Sequence, residues 1–189
     1  DSTDPNESSP VYTGPIEVET NTVIRARAYR DGVEASQIIS ETYLISVYHT
    51  MPVICLTTDP DNLTNEDYGA FAYGPNVDTS QPTPWIKIAT YGQKNWFNGW
   101  VEYSDENGQL QISQGIRFRV MGQYSLDMPQ KSLYIKADGQ FGKSEFDYAL
   151  FSDRPFTTYK SFVLRNGGQD GLYTRVLDGL EARLIDQSN

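Results

Sequence analysis

The segment from Gly115 to Lys136 constrains the fold more than any other part of the chain. Apolar and polar side chains alternate at both of its ends, and a polar loop with a glycine and a proline lies between them. Alternation with a period of two predicts β-strands that have one buried and one exposed face. With the preceding alternating run, the segment predicts one core face of five residues: Val101, Tyr103, Ile116, Phe118 and Val120. Arg117 and Arg119 are then expected on the opposite face.

Turn sequences and further alternation indicate that most of the chain is antiparallel β-structure. Asp105-Glu-Asn-Gly108 separates two alternating runs and predicts a hairpin, and Asp31-Gly32 predicts another. The other strands are expected at Ile16–Thr20, Thr22–Arg30, Ile38–Ile45, Val53–Leu56 and Phe162–Arg165, and within Phe141–Phe151. Residues 72–84 hold too many prolines and glycines for regular structure.

A helix is expected at the C-terminal end of the chain, with Asp170 placed as its N-cap. Six residues at helical spacing mark its apolar face: Leu172, Val176, Leu177, Leu180, Leu184 and Ile185. The sequence therefore predicts an α+β fold that is predominantly antiparallel β. A partial β-sandwich module is expected at residues 1–47, followed by a mixed β-sheet domain at residues 51–189 that ends in the helix.

The charge pattern limits the classes of partner. A net charge of −10 argues against nucleic acid and against an anionic membrane surface as general partners. No apolar run approaches the length of about 18 residues that a membrane-spanning helix needs, so no membrane span is expected. Residues 117–165 nevertheless carry eight Lys or Arg against five Asp or Glu. This local excess of positive charge fits either ordinary sheet-surface charge or an anion site.

Few residues suit metal or thiol chemistry. The single cysteine, Cys55, lies in an apolar run and is expected to be a buried thiol, and the single histidine, His49, excludes a His-rich zinc site. The acids of Thr57–Asn62 lack the spacing of an EF-hand calcium loop, so an Asx turn is the expected structure there. The aromatic residues of Trp96–Trp100 fit either core packing or stacking on a sugar.

The first 32 residues contain an ordered series of short motifs. These are Asp4-Pro5, Ser9–Ile16, Thr22–Ala28 and Asp31-Gly32. The series resembles the second half of Fn3-associated, chitobiase C-terminal-like modules, which are accessory β-sandwiches beside extracellular or surface enzymes. Because the opening strands of such a module are missing, we expect this segment to pack on the next domain or on another chain.

A second ordered series of motifs runs from Met51 to Leu180. It consists of Met51–Leu56, Thr58–Leu63, Val101-Glu102, Asp105–Gly108, Gly115–Gly122, Pro129–Leu133, Phe151–Phe156, Tyr159–Ser161, Leu164–Asp170 and Arg175–Leu180. The order and spacing resemble the first part of the CotH family, the spore-coat CotH-like atypical protein kinases. The resemblance implies phosphoryl transfer from ATP, with Mg²⁺ or Mn²⁺, to Ser or Thr of a protein substrate. It also implies a protein that is secreted, at the cell surface or in the spore coat of a bacterium.

Cations on strands would hold the nucleotide phosphates in such a kinase, since its catalysis consists largely of positioning and charge stabilisation. The resemblance makes Lys131 the first candidate, with Lys136, Arg119 and Arg165 assisting. The alternative for each is a solvated cation or an ion pair with an aspartate: Asp127, Asp147 or Asp170.

The catalytic and metal-binding Asp residues of such kinases lie in a C-terminal lobe. This chain stops one helix after the Leu164–Asp170 motif, so we expect it not to transfer phosphate alone and to pack against missing domains or a second copy. A non-catalytic structural or binding module of a spore-coat, cell-surface or carbohydrate-associated protein is the alternative. Glycoside hydrolysis also stays open, because its carboxylate pair comes together only in the fold.

Overall fold

The computed structural model describes residues 3–33 and 35–187. Most of its regular structure is antiparallel β-sheet, and an α-helix lies at the C-terminal end. The α+β, β-rich character predicted from the alternation is therefore confirmed. Among these residues, no helix has the length and apolar character needed to cross a membrane.

The described residues form nine strands and two α-helices, numbered in chain order. The strands are β1 Thr22–Ala26, β2 Ile39–Tyr43, β3 Val53–Thr57, β4 Phe97–Ser104, β5 Leu110–Met121, β6 Ser132–Ala137, β7 Phe146–Asp147, β8 Thr158–Tyr159 and β9 Ser161–Leu164. The helices are α1 Asp61–Thr64 and α2 Leu177–Gln187. Short 3₁₀ turns lie at Thr90–Gln93, Tyr124–Asp127 and Gly168–Asp170. The strands form a five-stranded sheet of order β3-β4-β5-β6-β9 and two pairs, β1-β2 and β7-β8.

The chain divides into two compact units. Unit 1 comprises Asp1–Asn62, Trp96–Phe118 and Lys136–Ser161, and unit 2 comprises Leu63–Asn95, Arg119–Ile135 and Phe162–Asn189. Each unit is thus assembled from three separate stretches of sequence. The predicted boundary near residue 50 stays a prediction.

The hairpin of β4 and β5 has the structure that the alternation predicts. Asp105–Gly108 forms its turn, where the Asp105 carboxylate accepts the backbone N–H groups of Asn107 and Gln109 at 2.9 Å. Gly108 takes a φ of 76°, a left-handed conformation that glycine adopts without steric cost. The five expected core residues are all buried, and Val101 and Ile116 are fully inaccessible. Arg117 and Arg119 lie on the other face and are half-buried.

The N-terminal strands are shorter than predicted. No strand forms at Ile16–Thr20, and β1 ends at Ala26 instead of Arg30, so both predictions are wrong. Opposite the end of β1, Ser36 still donates its backbone N–H to the carbonyl oxygen of Ala28 at 3.0 Å, but its two other bonds to this segment each involve a side chain. Its hydroxyl oxygen accepts the N–H of Ala28 at 2.9 Å, and its carbonyl oxygen accepts Nε of Arg27 at 2.7 Å. The Asp31-Gly32 turn is confirmed by an antiparallel bridge between the residues that flank it.

The β1-β2 pair contacts β4 within unit 1. Glu102 on β4 is 5% exposed, and its carboxylate accepts the backbone N–H of Thr42 at 3.1 Å and the Thr42 hydroxyl at 2.5 Å. Contact with the residues that follow is one of the two packing arrangements expected for an incomplete sandwich.

The C-terminal helix begins later than predicted. It starts at Leu177, because residues 168–170 form a 3₁₀ turn, so Asp170 is not the residue that precedes it. The Asp170 carboxylate still accepts the N–H of Leu177 at 3.1 Å and the hydroxyl of Thr174 at 2.5 Å. These bonds lower the pKa of Asp170, with the Thr174 hydroxyl as the largest cause. The side chains of the expected apolar face are exposed; Leu180 and Leu184 are each more than half accessible.

Candidate functional site

Unit 2 contains a cleft of about 350 Å³ between the loop that joins β5 to β6 and the segment that follows β9. Its described lining includes apolar side chains and several groups that can form hydrogen bonds. They include Tyr124, Asp127, Met128, Gln130, Asn166, Leu172 and Arg175. A volume at the lower end of the range of about 300–1,000 Å³ suits a small-molecule site.

Asn166 holds the two walls of the cleft together. It is 4% exposed, and its Nδ2 donates to the carbonyl oxygen of Gln130 at 2.7 Å. Its Oδ1 accepts the hydroxyl of Ser132 at 3.0 Å and the N–H of Gly168 at 2.9 Å. Two motifs that lie 34 residues apart in sequence, Pro129–Leu133 and Leu164–Asp170, are therefore joined through one buried amide.

Arg175 is presented at the cleft from a strained backbone. Its φ is 63°, in the left-handed region that non-glycine residues rarely adopt, and such conformations concentrate at functional sites. The guanidinium is fixed by Nε, which donates to the carbonyl of Gly171 at 2.8 Å, and by Nη1, which donates to Oε1 of Gln130 at 3.0 Å. Gly167 makes this arrangement possible, because a Cβ there would lie 3.2 Å from the Arg175 Cα.

Lys131 lies in the loop wall. Its Nζ donates to the carbonyl oxygens of Leu126 at 2.5 Å and Met128 at 3.3 Å, and stands 3.9 Å from the centre of the Tyr91 ring. Burial lowers the pKa of Lys131, and the nearby Asp127 carboxylate opposes that shift. Lys131 is thus desolvated and held by carbonyl dipoles and an aromatic face.

Asp127 connects this loop to residues 85–91. Its carboxylate accepts the backbone N–H of Trp85 at 3.0 Å and the hydroxyl of Tyr91. Burial, followed by the bond to Asp127, raises the pKa of Tyr91, so its phenol is a proton donor at any ordinary pH. Lys131, Tyr91 and Asp127 together fix the loop on which the cleft wall is built.

The other three predicted cations lie in different settings. The Arg119 guanidinium stands 5.3 Å from the ring centre of Tyr134, and Arg165 is exposed next to Gly168. Both belong to unit 2, as does Lys131, whereas Lys136 belongs to unit 1 and is exposed there. The described lining of the cleft includes none of the four predicted cations. Their assignment to a cofactor stays a prediction.

Sequence reasoning missed Arg175, Tyr124 and Asn166 as site residues. The Gly167-Gly168 pair was a usable signal, since two glycines after a strand allow the close approach of backbone that this cleft needs. The left-handed conformation of Arg175 had no signal in the sequence.

The described residues give little support for a metal site. Within residues 3–33 and 35–187, no three His, Cys, Asp or Glu side chains lie close enough to hold a metal ion together. At Thr57–Asn62 the expected Asx turn is present: the N–H of Asp61 donates to Oδ1 of Asp59 at 3.0 Å.

Comparison with known proteins finds a family match for the N-terminal part of the chain. Residues 1–43 match the family described as Fn3 associated, which confirms that part of the resemblance read from the motifs. No CotH family match was found. Neither the curated proteins nor the solved structures contain a match to the chain.

Proposed function

We propose that unit 2 is a nucleotide-binding part of a CotH-like protein whose parent transfers phosphate from ATP to a protein Ser or Thr. The observation that carries the proposal is the joining of two CotH-like motifs at one cleft: Asn166 of Leu164–Asp170 bonds to Gln130 and Ser132 of Pro129–Leu133. Under this proposal the parent is a secreted or surface protein, as the resemblance implies.

The chemistry of the cleft suits a nucleotide. Tyr124 and Leu172 are both highly exposed and, with Met128, line the cleft with apolar groups on which a base packs in this proposal. Arg175 supplies a planar cation that bonds phosphate oxygens in pairs. The apolar surface and the cation are both needed, because an uncharged apolar cleft gives no preference for a phosphorylated ligand.

Two cations have separate roles in this proposal. Arg175 contacts the phosphates directly, whereas Lys131 acts on the loop that carries Met128 and adds positive charge behind it. The described residues offer no ligand set for Mg²⁺ or Mn²⁺, so the proposal assigns them no metal and no catalytic step.

The test is calorimetric titration of the 189-residue chain with ATP, in the presence and absence of Mg²⁺. We expect a Kd of about 1 mM or tighter. Arg175→Gln should weaken binding about tenfold or more, because a charged hydrogen bond is lost. Arg183→Gln, on the exposed surface of α2, is the matched control and should bind as the parent chain does. A folded chain that gives no heat with ATP would overturn the proposal.

A non-catalytic binding or structural module is the second candidate, and the setting of Lys131 favours it. An ammonium already bonded to two backbone carbonyls stabilises its loop without any ligand. Lys131→Ala separates the two functions. A fall in ATP affinity at unchanged melting temperature supports phosphate binding, whereas a lower melting temperature with no ATP binding in the parent chain supports the structural module.

A further inference from the structure

We propose that unit 1 carries a groove that binds a neutral oligosaccharide. The groove consists of two adjoining clefts of about 500 Å³ and 470 Å³, each large enough for a small ligand. Four residues line both clefts: Ser36, Gln37, Trp100 and Phe141. The shared lining makes the two clefts one elongated site, which suits a chain of sugar rings better than a single compact molecule.

Two aromatic residues, Trp100 and Phe141, line both clefts. Trp100 is half-buried, and its Nε1 donates to the hydroxyl of Ser113 at 3.0 Å, which fixes the orientation of the indole. Phe141 is also half-buried, and its backbone lies directly on Gly115 of β5. An indole held in this way loses little conformational freedom on binding, and the apolar C–H face of a pyranose packs on such a surface.

Planar amides and hydroxyls surround the rings. Asn98 and Gln140 are exposed residues of the first cleft, and Ser113 and Gln114 belong to the second. Gln37 links the two edges, because its Nε2 donates to the carbonyl oxygen of Gln140. Amides and hydroxyls both donate and accept hydrogen bonds, as the hydroxyl groups of a sugar do.

The described lining of the groove includes three cations, Arg25, Arg27 and Lys143, and one carboxylate, Asp4. Arg25 has a side chain that is only 8% exposed, and its Nη1 is 2.7 Å from a carboxylate oxygen of Asp4. Arg27 donates Nε to the carbonyl of Ser36 and stands 5.7 Å from the Tyr29 ring. The Arg25–Asp4 pair is neutral as a unit, and the net charge of −10 repels polyanions.

The groove combines two parts of the chain. Asp4, Arg25, Arg27 and residues 35–40 lie in the part of the chain that matches the Fn3-associated family, and the rest of the described lining comes from β4, β5 and the loop after β6. Neither part forms the groove alone, so the intact 189-residue chain is the material to test.

The experiment titrates the chain with cellohexaose and chitohexaose by calorimetry, with an oligogalacturonate of matched length as the acidic probe. We expect saturable binding of at least one neutral hexasaccharide, and Trp100→Ala should weaken it about tenfold or more, as for a buried aromatic anchor. Trp96→Ala removes an exposed indole of unit 1 that is not among the described lining residues, and should leave the affinity unchanged.

Two further variants keep the test decisive if Trp100→Ala fails to fold. Trp100→Phe retains a ring, and Gln140→Ala removes an exposed amide from the rim; each should weaken binding by a smaller factor. Absence of binding to both neutral probes by the folded chain, binding of the acidic probe alone, or equal affinity in all the groove variants would overturn the proposal. These outcomes are independent of ATP binding by unit 2.

Discussion

The backbone carbonyl oxygen of Phe141 lies 1.8 Å from the position that a Cβ atom on Gly115 would occupy. The contact is mutual, since a Cβ on Gly142 would lie 2.5 Å from the carbonyl oxygen of Gly115. The loop after β6 therefore rests on the backbone of β5 at a point where any side chain would displace it. This contact sets the position of one wall of the unit 1 groove.

Gly115→Ala should lower the free energy of unfolding by about 2 kcal/mol or more, because backbone and not a flexible side chain would have to move. Chemical denaturation monitored by tryptophan fluorescence measures the effect. Gly139→Ala, two residues from Phe141, is the control: nothing lies within 4 Å of its Cβ position, so we expect a change within about 0.5 kcal/mol. Equal effects of the two substitutions would refute the close contact.

Glu102→Ala should weaken the attachment of the β1-β2 pair to β4. The substitution leaves the N–H and hydroxyl of Thr42 without their carboxylate partner, which costs about 1–3 kcal/mol. Denaturant unfolding measures the loss. Glu17→Ala, at an exposed position of the same unit, should have no measurable effect. Cleavage by a protease within residues 1–47 should also become faster, and unchanged cleavage would contradict the attachment.

Cys55 should react slowly with thiol reagents. It lies opposite Glu102 in the β3–β4 register, and burial, with a smaller contribution from the Glu102 charge, raises the pKa of its thiol. At pH 8 the thiolate fraction is therefore below that of an unperturbed cysteine, and the thiolate is the reactive form. Glu102→Gln should speed labelling modestly by removing the charge. Labelling as fast as that of free cysteine in the parent chain would contradict the burial.

The parts of the fold that depend on local sequence could be predicted. The β4–β5 hairpin follows from a turn sequence between two alternating runs, and both the turn at Asp105–Gly108 and the core face were read correctly. The errors arose where a side chain several residues away decides the structure. The Ser36 hydroxyl takes one place in the ladder beyond Ala26, and Asp170, at the end of a 3₁₀ turn, bonds to the first residue of α2 seven residues later.

The candidate site was less predictable than the fold. The Lys131 ammonium is held by backbone carbonyls only three and five residues earlier. Every residue has such a carbonyl, so the sequence does not show which ones accept the bonds. Arg175 reaches Gln130, 45 residues away, through a backbone conformation that the sequence does not indicate. A motif shows which residue types are present, whereas the cleft depends on which of these residues contact each other in the folded chain.

Asp105→Asn should reduce stability at neutral pH but not in acid. The bonds that Asp105 accepts from the hairpin, that from the N–H of Gln109 being the largest cause, lower its pKa in the folded state. A carboxyl with a lowered folded pKa adds stability above its unfolded pKa of about 3.9, and loses it as the pH falls through the folded pKa. The difference in unfolding free energy between parent and variant should therefore shrink as the pH falls below the unfolded pKa of about 3.9.

Glu106→Gln, at the exposed neighbouring position in the turn, is the control for this pH dependence. It should show a difference from the parent chain that changes little over the same range. A constant difference between the parent and Asp105→Asn at all pH values would mean that Asp105 holds the turn as a neutral group.

Asn166→Ala should destabilise unit 2 far more than the truncation of an exposed amide. Each buried polar group left unpaired costs about 1–3 kcal/mol, and the side-chain amide serves the carbonyl of Gln130, the hydroxyl of Ser132 and the N–H of Gly168. Asn166→Asp keeps the acceptor for Ser132 and Gly168 but sets a buried carboxyl group against the carbonyl oxygen of Gln130, so its loss of stability should be larger at neutral pH than in acid, where the group is protonated. Asn76→Ala, in an exposed loop, is the control. Hydrogen exchange should locate the effect: the amide of Gly168 should exchange faster in the alanine variant than in the aspartate variant, and equal rates would show that the amide of Asn166 does not hold the two walls of the cleft.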